Sequence, residues 1–276
     1  MATRSALFTP GDEPEMMRKS VGMDADVVIF DLEDAVSRAN KDIARAEIPS
    51  ALEETADSGP DVWVRINPLG TGGHDDIDAL SAADTRPSDV LVPMVERLEQ
   101  LETVSERFEE AGIDSGVVAL VETAAGLTAV EELVTHPDLS GVVFGAEDYT
   151  ADMGIVELED RSYLDYARSR IAVAGASADI AAIDTVYTDL GNTEGLLTDA
   201  RQALNYGFDG KAAIHPSQIE TINEVFTPSG EKIEWAKGVL EARDEAGDKG
   251  VFEYEGEMID APVLARAEEI LRRAGE

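Results

Sequence analysis

Residues 25–36, Ala-Asp-Val-Val-Ile-Phe-Asp-Leu-Glu-Asp-Ala-Val, set the pattern of the whole chain. An apolar run, Asp26 to Asp31, stops abruptly on carboxylates, and a segment with helical spacing follows from Lys41 to Glu54. A strand without polar alternation is one covered on both faces, as in parallel sheets. Seven further runs repeat the theme: Ser5 to Thr9, Val62 to Ile66, Val90 to Met94, Val117 to Val121, Val142 to Phe144, Ile183 to Tyr187 and Lys211 to Ile214. Helices are expected between them at Pro14 to Val21, Asp75 to Ala82, Glu96 to Ala111, Ala125 to Val134, Tyr163 to Ala176, Glu194 to Asn205 and Ser217 to Val225. Eight strand–helix units in about 225 residues predict an α/β fold of the (β/α)8 TIM-barrel type. No Gly-x-Gly-x-x-Gly follows the first strand, which disfavours a doubly wound dinucleotide-binding sheet.

After Pro228 the pattern changes. A helix is expected over Glu231 to Glu245, then a stretch punctuated by Gly247, Gly250 and Gly256 around Phe252-Glu-Tyr254, then a last helix from Pro262 to Arg273. The chain therefore divides into a catalytic barrel, 1–227, and a C-terminal helical extension, 228–276. An appendix with apolar residues of its own is expected to pack on a neighbouring subunit.

Charge narrows the partners. The 58 acidic and 22 basic side chains leave a net charge of −36, with Lys only six times and Arg sixteen. Such a surface repels polyanions, so neither nucleic acid nor an anionic membrane is an expected partner. The 43% hydrophobic content argues against disorder. The carboxylates read instead as a solvating coat of the halophilic kind, screened by concentrated salt. With no apolar run long enough to span a bilayer and no secretory h-region in Met1 to Pro10, a cytoplasmic location is expected. Cys is absent, which excludes disulfides, thiolate nucleophiles and Cys-ligated metals. Only His74, His136 and His215 supply imidazole, so any metal must lean on oxygen ligands.

A barrel places its active site at the carboxyl ends of its strands. There the chain reads Thr9-Pro-Gly11, Asp31-Leu-Glu33-Asp34, Arg65-Ile-Asn67-Pro68, Glu122-Thr123, Gly145-Ala-Glu147-Asp148 and His215-Pro216. Carboxylates on adjacent strand tips repel unless a cation joins them, and hard oxygen donors suit Mg²⁺. Glu122 and Asp148 make the best pair of ligands. Magnesium keeps its other positions for water and substrate, which favours a carboxylate beside a carbonyl or hydroxyl. Other residues keep two readings: Glu33 as a loop-ordering or a catalytic group, Arg65 as a bridge to Asp31 or Glu33 or as an anion clamp. Thr9 to Asp12 could be only a tight turn, and His215 only a partner for backbone.

Read in order, these stretches resemble the citrate lyase β subunits and related CoA-thioester lyases of the HpcH/HpaI aldolase superfamily. The resemblance rests on Ser5-Ala-Leu-Phe-Thr-Pro-Gly11, residues 25–36, Val64-Arg-Ile-Asn67, Leu120-Val-Glu-Thr-Ala-Ala-Gly-Leu127 and Val143-Phe-Gly-Ala-Glu-Asp-Tyr149. It continues through Gly207-Phe-Asp-Gly-Lys-Ala-Ala-Ile-His-Pro216, Ile222-Asn-Glu-Val-Phe226 and Gly256-Glu-Met-Ile-Asp260. It implies a Mg²⁺-dependent carbon–carbon lyase, trimeric or hexameric, acting between an acyl-CoA thioester and a 2-oxo acid. Substrates of the malyl-CoA, methylmalyl-CoA or citramalyl-CoA type are implied. Carried onto this sequence, Glu122 and Asp148 match metal ligands, and Arg65 faces the thioester, with Glu33 and Asp31 ordering it. Phe8, Pro10, Gly11, Ile214 and His215 match the CoA-holding stretches, Glu147 joins the substrate-binding residues, and Asp260 matches a catalytic aspartate reaching a neighbouring subunit. The rival activities are a malyl-CoA thioesterase and a citrate lyase β subunit working with an acyl carrier. The chain departs from its relatives after Pro10-Gly11, where Asp12-Glu-Pro-Glu15 replaces a basic residue. Phosphate contacts then fall to Arg18, Lys19, Arg38 or Lys41, or to backbone and salt.

Overall fold

The computed structural model describes residues 3–56, 59–156, 161–247 and 250–275. Strands β1 (Ser5–Pro10), β2 (Val27–Asp31), β3 (Asp61–Arg65), β4 (Asp89–Val92), β5 (Gly116–Val121), β6 (Leu139–Phe144), β7 (Ala181–Asp184) and β8 (Gly210–Ala213) pair in parallel and in sequence order. Because β8 pairs back onto β1, the sheet closes into the barrel that the apolar runs predict. Around it lie α1 (Pro14–Ser20), α2 (Lys41–Thr55), α3 (Gly73–Ser81), α4 (Leu98–Ala111), α5 (Ala124–Leu133), α6 (Ala146–Asp152), α7 (Asp165–Ala178), α8 (Thr193–Tyr206) and α9 (Ile219–Phe226). Among the described residues no helix is long and apolar enough to cross a membrane.

The barrel interior is filled by one residue in two from each strand, as the strand period requires. Val27, Ile29, Trp63, Val118, Leu120, Val143 and Ala212 belong to this cluster, with Phe8 packed on it. Continuing the same alternation upward puts Asp31, Arg65 and Glu122 on the inward face at the barrel mouth. Asp31 also stands opposite Arg65 in the β2–β3 register.

Two strand ends differ from expectation. β4 stops at Val92, and Met94 lies in the left-handed region, with φ 54°. β7 starts earlier and stops at Asp184, leaving Thr185 to Tyr187 beyond the strand. The cause is the Asp184 side chain, which is tied on the outer side of the sheet.

There Arg168 on α7 donates from Nε and Nη2 to both oxygens of Asp184, at 2.9 Å each, and from Nη2 to Asp199 on α8 at 2.8 Å. Lys211 on β8 donates to Asp184 at 2.6 Å and to the Thr185 carbonyl at 2.7 Å. All four side chains are buried. Burial alone would raise the Asp199 carboxyl, but Lys211, Arg168 and Arg161 outweigh it and hold it at about 2. A carboxyl depressed on folding adds stability above its unfolded value near 4 that is lost as pH falls toward 2. Asp199→Asn is therefore expected to cost about 2 kcal/mol at neutral pH. Urea melts of the two proteins should converge between pH 4 and pH 2; a gap independent of pH would refute this account.

The chain forms two compact units, one running Thr3–Asn223 and the other holding the chain from Glu224 onward. In the second, α10 (Gly230–Ala246) and α11 (Ala261–Ala274) enclose Ala236, Val239, Ile259 and Ala267. The glycine-punctuated stretch folds as a hairpin, β9 (Phe252–Tyr254) and β10 (Glu257–Ile259). Its turn uses positive φ at Glu255 (50°) and Gly256 (81°), the backbone that matches the twist of paired strands.

Candidate active site

A cavity of about 350 Å³ opens at the carboxyl ends of the barrel strands. Phe8, Asp31, Arg65, Glu122, Glu147, Asp148 and Ile214 all line it, seven expected site residues gathered from six strand ends. Asp34 and Thr185 line it as well, together with an apolar wall of Leu120, Val143, Val186 and Ala212.

Arg65 is the hub on one side. Its Nε and Nη2 donate to Asp31 at 2.7 and 2.6 Å, a bidentate pair. Its Nη1 lies 2.9 Å from Glu33 and 3.6 Å from Asp34, and its guanidinium stacks 4.8 Å from the Phe8 ring centre. Both readings of Arg65 at the sequence level thus start from one fact: it bridges Asp31 and Glu33 while facing the cavity. Asp31 also accepts from the Glu33 and Ala35 N–H groups, at 2.8 and 2.9 Å, which curls residues 31–35 around the guanidinium.

This curl is held from behind. Lys41 donates to the Leu32 and Glu33 carbonyls at 2.7 and 2.6 Å, so backbone already takes two of its three donors. Asn67 donates to the Leu32 carbonyl at 2.9 Å and to Asp76, which Arg45 also holds. Arg18 pairs with Glu54 on the outer surface.

Glu122 and Asp148 form the other side. Met94 donates its N–H to Glu122 Oε1 at 2.7 Å. The left-handed turn at Met94 is pinned by Gln100, which donates to the Met94 carbonyl and accepts from the Glu96 and Arg97 N–H groups. Gly145 is required here: a Cβ at that position would lie 2.6 Å from the Glu122 Cβ. Asp148 rides on the short α6, whose Ala146 N–H donates to Thr185 Oγ1 at 3.0 Å. The sequence reading contains no α6, because its seven residues are too few to show a helical period.

These carboxyls are crowded. Burial, then the charges of Glu33 and Asp148, push Glu122 up to about 8. Burial also raises Glu33 to about 7 against the pull of Arg65, and burial and the charge of Asp34 raise Asp148. Two crowded carboxyls in a pocket with excess negative charge mark a place where a hard dication would fit. Among the described residues no group of three or more His, Asp or Glu stands ready as a full ligand cage. A pair of carboxylates with room for water and substrate is the Mg²⁺ habit.

Three expected binding residues, Pro10, Gly11 and His215, and two expected catalytic ones, Glu33 and Asp260, are not among the residues that line this cavity. Pro10 closes β1, and Gly11 lays the following turn on β2, where a Cβ would meet the Asp31 carbonyl at 2.8 Å. His215 heads a turn, with Nδ1 accepting from the Ser217 N–H at 3.2 Å, so its bland reading describes its contacts. Asp260 belongs to the second unit and caps α11 by accepting from the Val263 N–H at 3.2 Å. The apolar run Ile183 to Tyr187 puts Thr185 in mid-strand, and only the early end of β7 at Asp184 brings it to the rim.

A family model described as HpcH/HpaI aldolase/citrate lyase matches residues 4–216. A citrate lyase subunit beta-like protein of Mycobacterium tuberculosis is 40% identical over 276 residues, covering 98% of this chain and 95% of that protein. Mitochondrial citramalyl-CoA lyase of Mus musculus is 34% identical over 289 residues, covering 98% and 86%. Among solved structures, the protein CitE from Mycobacterium tuberculosis in complex with magnesium, acetoacetate and coenzyme A aligns with a TM-score of 0.82. It is 36% identical, with 100% of this chain and 99% of that one covered.

Proposed function

This chain belongs to the HpcH/HpaI aldolase/citrate lyase family, and on that premise we propose that it cleaves, or in reverse forms, a 3-hydroxyacyl-CoA such as malyl-CoA, methylmalyl-CoA or citramalyl-CoA. The products are a shorter acyl-CoA and glyoxylate or pyruvate. The observation that carries this reading is the Glu122–Asp148 carboxyl pair facing Arg65 across one cavity. Glu122 and Asp148 would hold Mg²⁺, which supplies positive charge to the substrate hydroxyl and carboxylate and eases loss of the hydroxyl proton.

A base removes that proton, the bond between the carbinol carbon and the carbon next to the thioester breaks, and its electron pair passes to the thioester oxygen. Arg65 offers Nη1 to this enolate oxygen, displacing Glu33; its other two contacts stay on Asp31, which fixes its plane. A donor so placed is commonly worth about 3 kcal/mol in the transition state. Asp260 returns a proton to the enolate carbon, supplied by the extension of a neighbouring copy in a trimer or hexamer. Phe8 and Ile214 bound the side of the cavity taken by the CoA arm, with the nearby main chain of Pro10, Gly11 and His215.

The test incubates the protein with Mg²⁺ in molar KCl, the salt its carboxylate coat suits, and supplies each of the three thioesters. Free thiol and 2-oxo acid are followed separately. Oxo acid without thiol is the expected result. Thiol without oxo acid would make the protein a thioesterase, and turnover only with a carrier-bound citryl thioester would make it a citrate lyase subunit.

A further inference from the structure

The buried ionic cluster behind β7 has no part in the chemistry above, and its reach ends at one cavity residue. Lys211, held by Asp184 and Asp199, donates to the Thr185 carbonyl. Arg161 reaches the next carbonyl, that of Val186, and lies over the Tyr187 ring, while Gln218 donates to the Tyr187 carbonyl at 2.7 Å. Residues 184–187 are thus fastened one after another from the outside. A segment anchored at every residue presents its one inward polar group in a fixed position.

That group is the Thr185 hydroxyl. It is 1% exposed and lines the cavity, and its oxygen accepts from the Ala146 N–H at 3.0 Å. A hydroxyl has one proton to donate besides the lone pairs it offers. Among the described residues that proton has no hydrogen-bond acceptor. Its lining neighbours on the β7–β8–β1 side, Val186, Ala212, Ile214 and Phe8, are apolar. A buried donor is normally paired, so an unpaired one facing a cavity points to an oxygen that arrives with the ligand.

We propose that Thr185 is a substrate-contacting residue, whose hydroxyl donates to an oxygen of the 2-oxo acid half of the substrate while its own oxygen fastens the turn that carries Asp148. The half is chosen by position. Ala146, the partner of Thr185, is two residues before Asp148, the proposed metal ligand, whereas Arg65 stands on β3, away from β7. The inference rests on the lyase reading above.

Isothermal titration of the full chain tests it, first with Mg²⁺ alone and then with glyoxylate, pyruvate and oxaloacetate in saturating Mg²⁺. For whichever 2-oxo acid the wild type binds, Thr185→Val is expected to weaken binding about tenfold, the size of one hydrogen bond to a charged acceptor. Thr185→Ser, which keeps the hydroxyl, should stay within about threefold of wild type. Thr185→Val also leaves the buried Ala146 N–H without its acceptor and should melt a few degrees lower, but Mg²⁺ affinity should be unchanged in both variants, since a displaced Asp148 would show there. Wild-type affinity in Thr185→Val overturns the proposal. So does Thr185→Ser binding as weakly as Thr185→Val, or a parallel loss of Mg²⁺ affinity, which would reduce Thr185 to a support for α6. A wild type that binds Mg²⁺ but no 2-oxo acid removes the lyase reading and this inference together; an unaffected Thr185→Val beside a competent wild type removes this inference alone.

Discussion

Glu122→Gln is expected to lower turnover by more than about 10³-fold, the loss of several kcal/mol of transition-state stabilisation, while making the metal-free protein more stable. Both effects follow from the same crowding. Glu122 is 2% exposed and is pushed up to about 8 by burial, Glu33 and Asp148. A carboxyl raised on folding contributes its full stability below the unfolded value near 4.5 and loses it as pH rises toward 8. A neutral amide carries no such penalty and keeps the bond from the Met94 N–H. The variant should therefore melt several degrees above metal-free wild type at pH 8, at about 2–4 °C per kcal/mol, with the two converging near pH 5. Added Mg²⁺ should raise the melting temperature of wild type and leave that of the variant unmoved. Wild-type turnover in Glu122→Gln, or a variant less stable at pH 8, would dismiss the metal assignment or the crowding that supports it. The trade of stability for function is the usual one at a site built from like charges.

Arg65→Met should cost both. Asp31 is 1% exposed, and without the guanidinium it keeps only the two N–H groups of Glu33 and Ala35. Leaving a buried charge without its partner typically destabilises by about 3–5 kcal/mol. Glu33 and Asp34 lose their cation as well, so the curl of residues 31–35 should loosen. Activity should fall by at least about 10²-fold if Arg65 is the oxyanion donor proposed above. The double variant Asp31→Asn with Arg65→Met separates the two effects: it removes the orphaned charge and should regain most of the stability, with no regain of turnover. Urea titration and the oxo-acid assay measure the pair. A double variant as unstable as Arg65→Met would mean that packing against Phe8, not charge, is what Arg65 supplies.

The barrel was legible because it repeats. A strand buried on both faces must be apolar along its length, and eight such runs alternating with helical segments leave few other architectures. Asp31, Arg65 and Glu122 were legible as strand-end residues for the same reason, and the alternation of side chains along a strand turns them inward. Asp148 was legible in the same way, as a carboxylate just past the sixth apolar run, although the short helix that carries it has no period to read. Legibility failed at β4 and β7. The left-handed Met94 and the early stop at Asp184 depend on Gln100, Arg168 and Lys211, which are distant in sequence or look like surface charges in a composition so rich in them. Lys41 is a further case: a Lys after an acidic loop looks free in the sequence, and only the fold brings its ammonium to the Leu32 and Glu33 carbonyls.

Of the 58 acidic residues, the sequence alone determined which few stand at strand tips, since periodicity and order are local properties of the chain. Tertiary structure decided what each of them does. Burial and neighbouring charge belong to no single residue, and they separate Asp31, satisfied by four donors, from Glu122, which is pushed up to about 8 beside Asp148. They also separate Asp199, held at about 2 by three cations, from the solvated coat it resembles on paper.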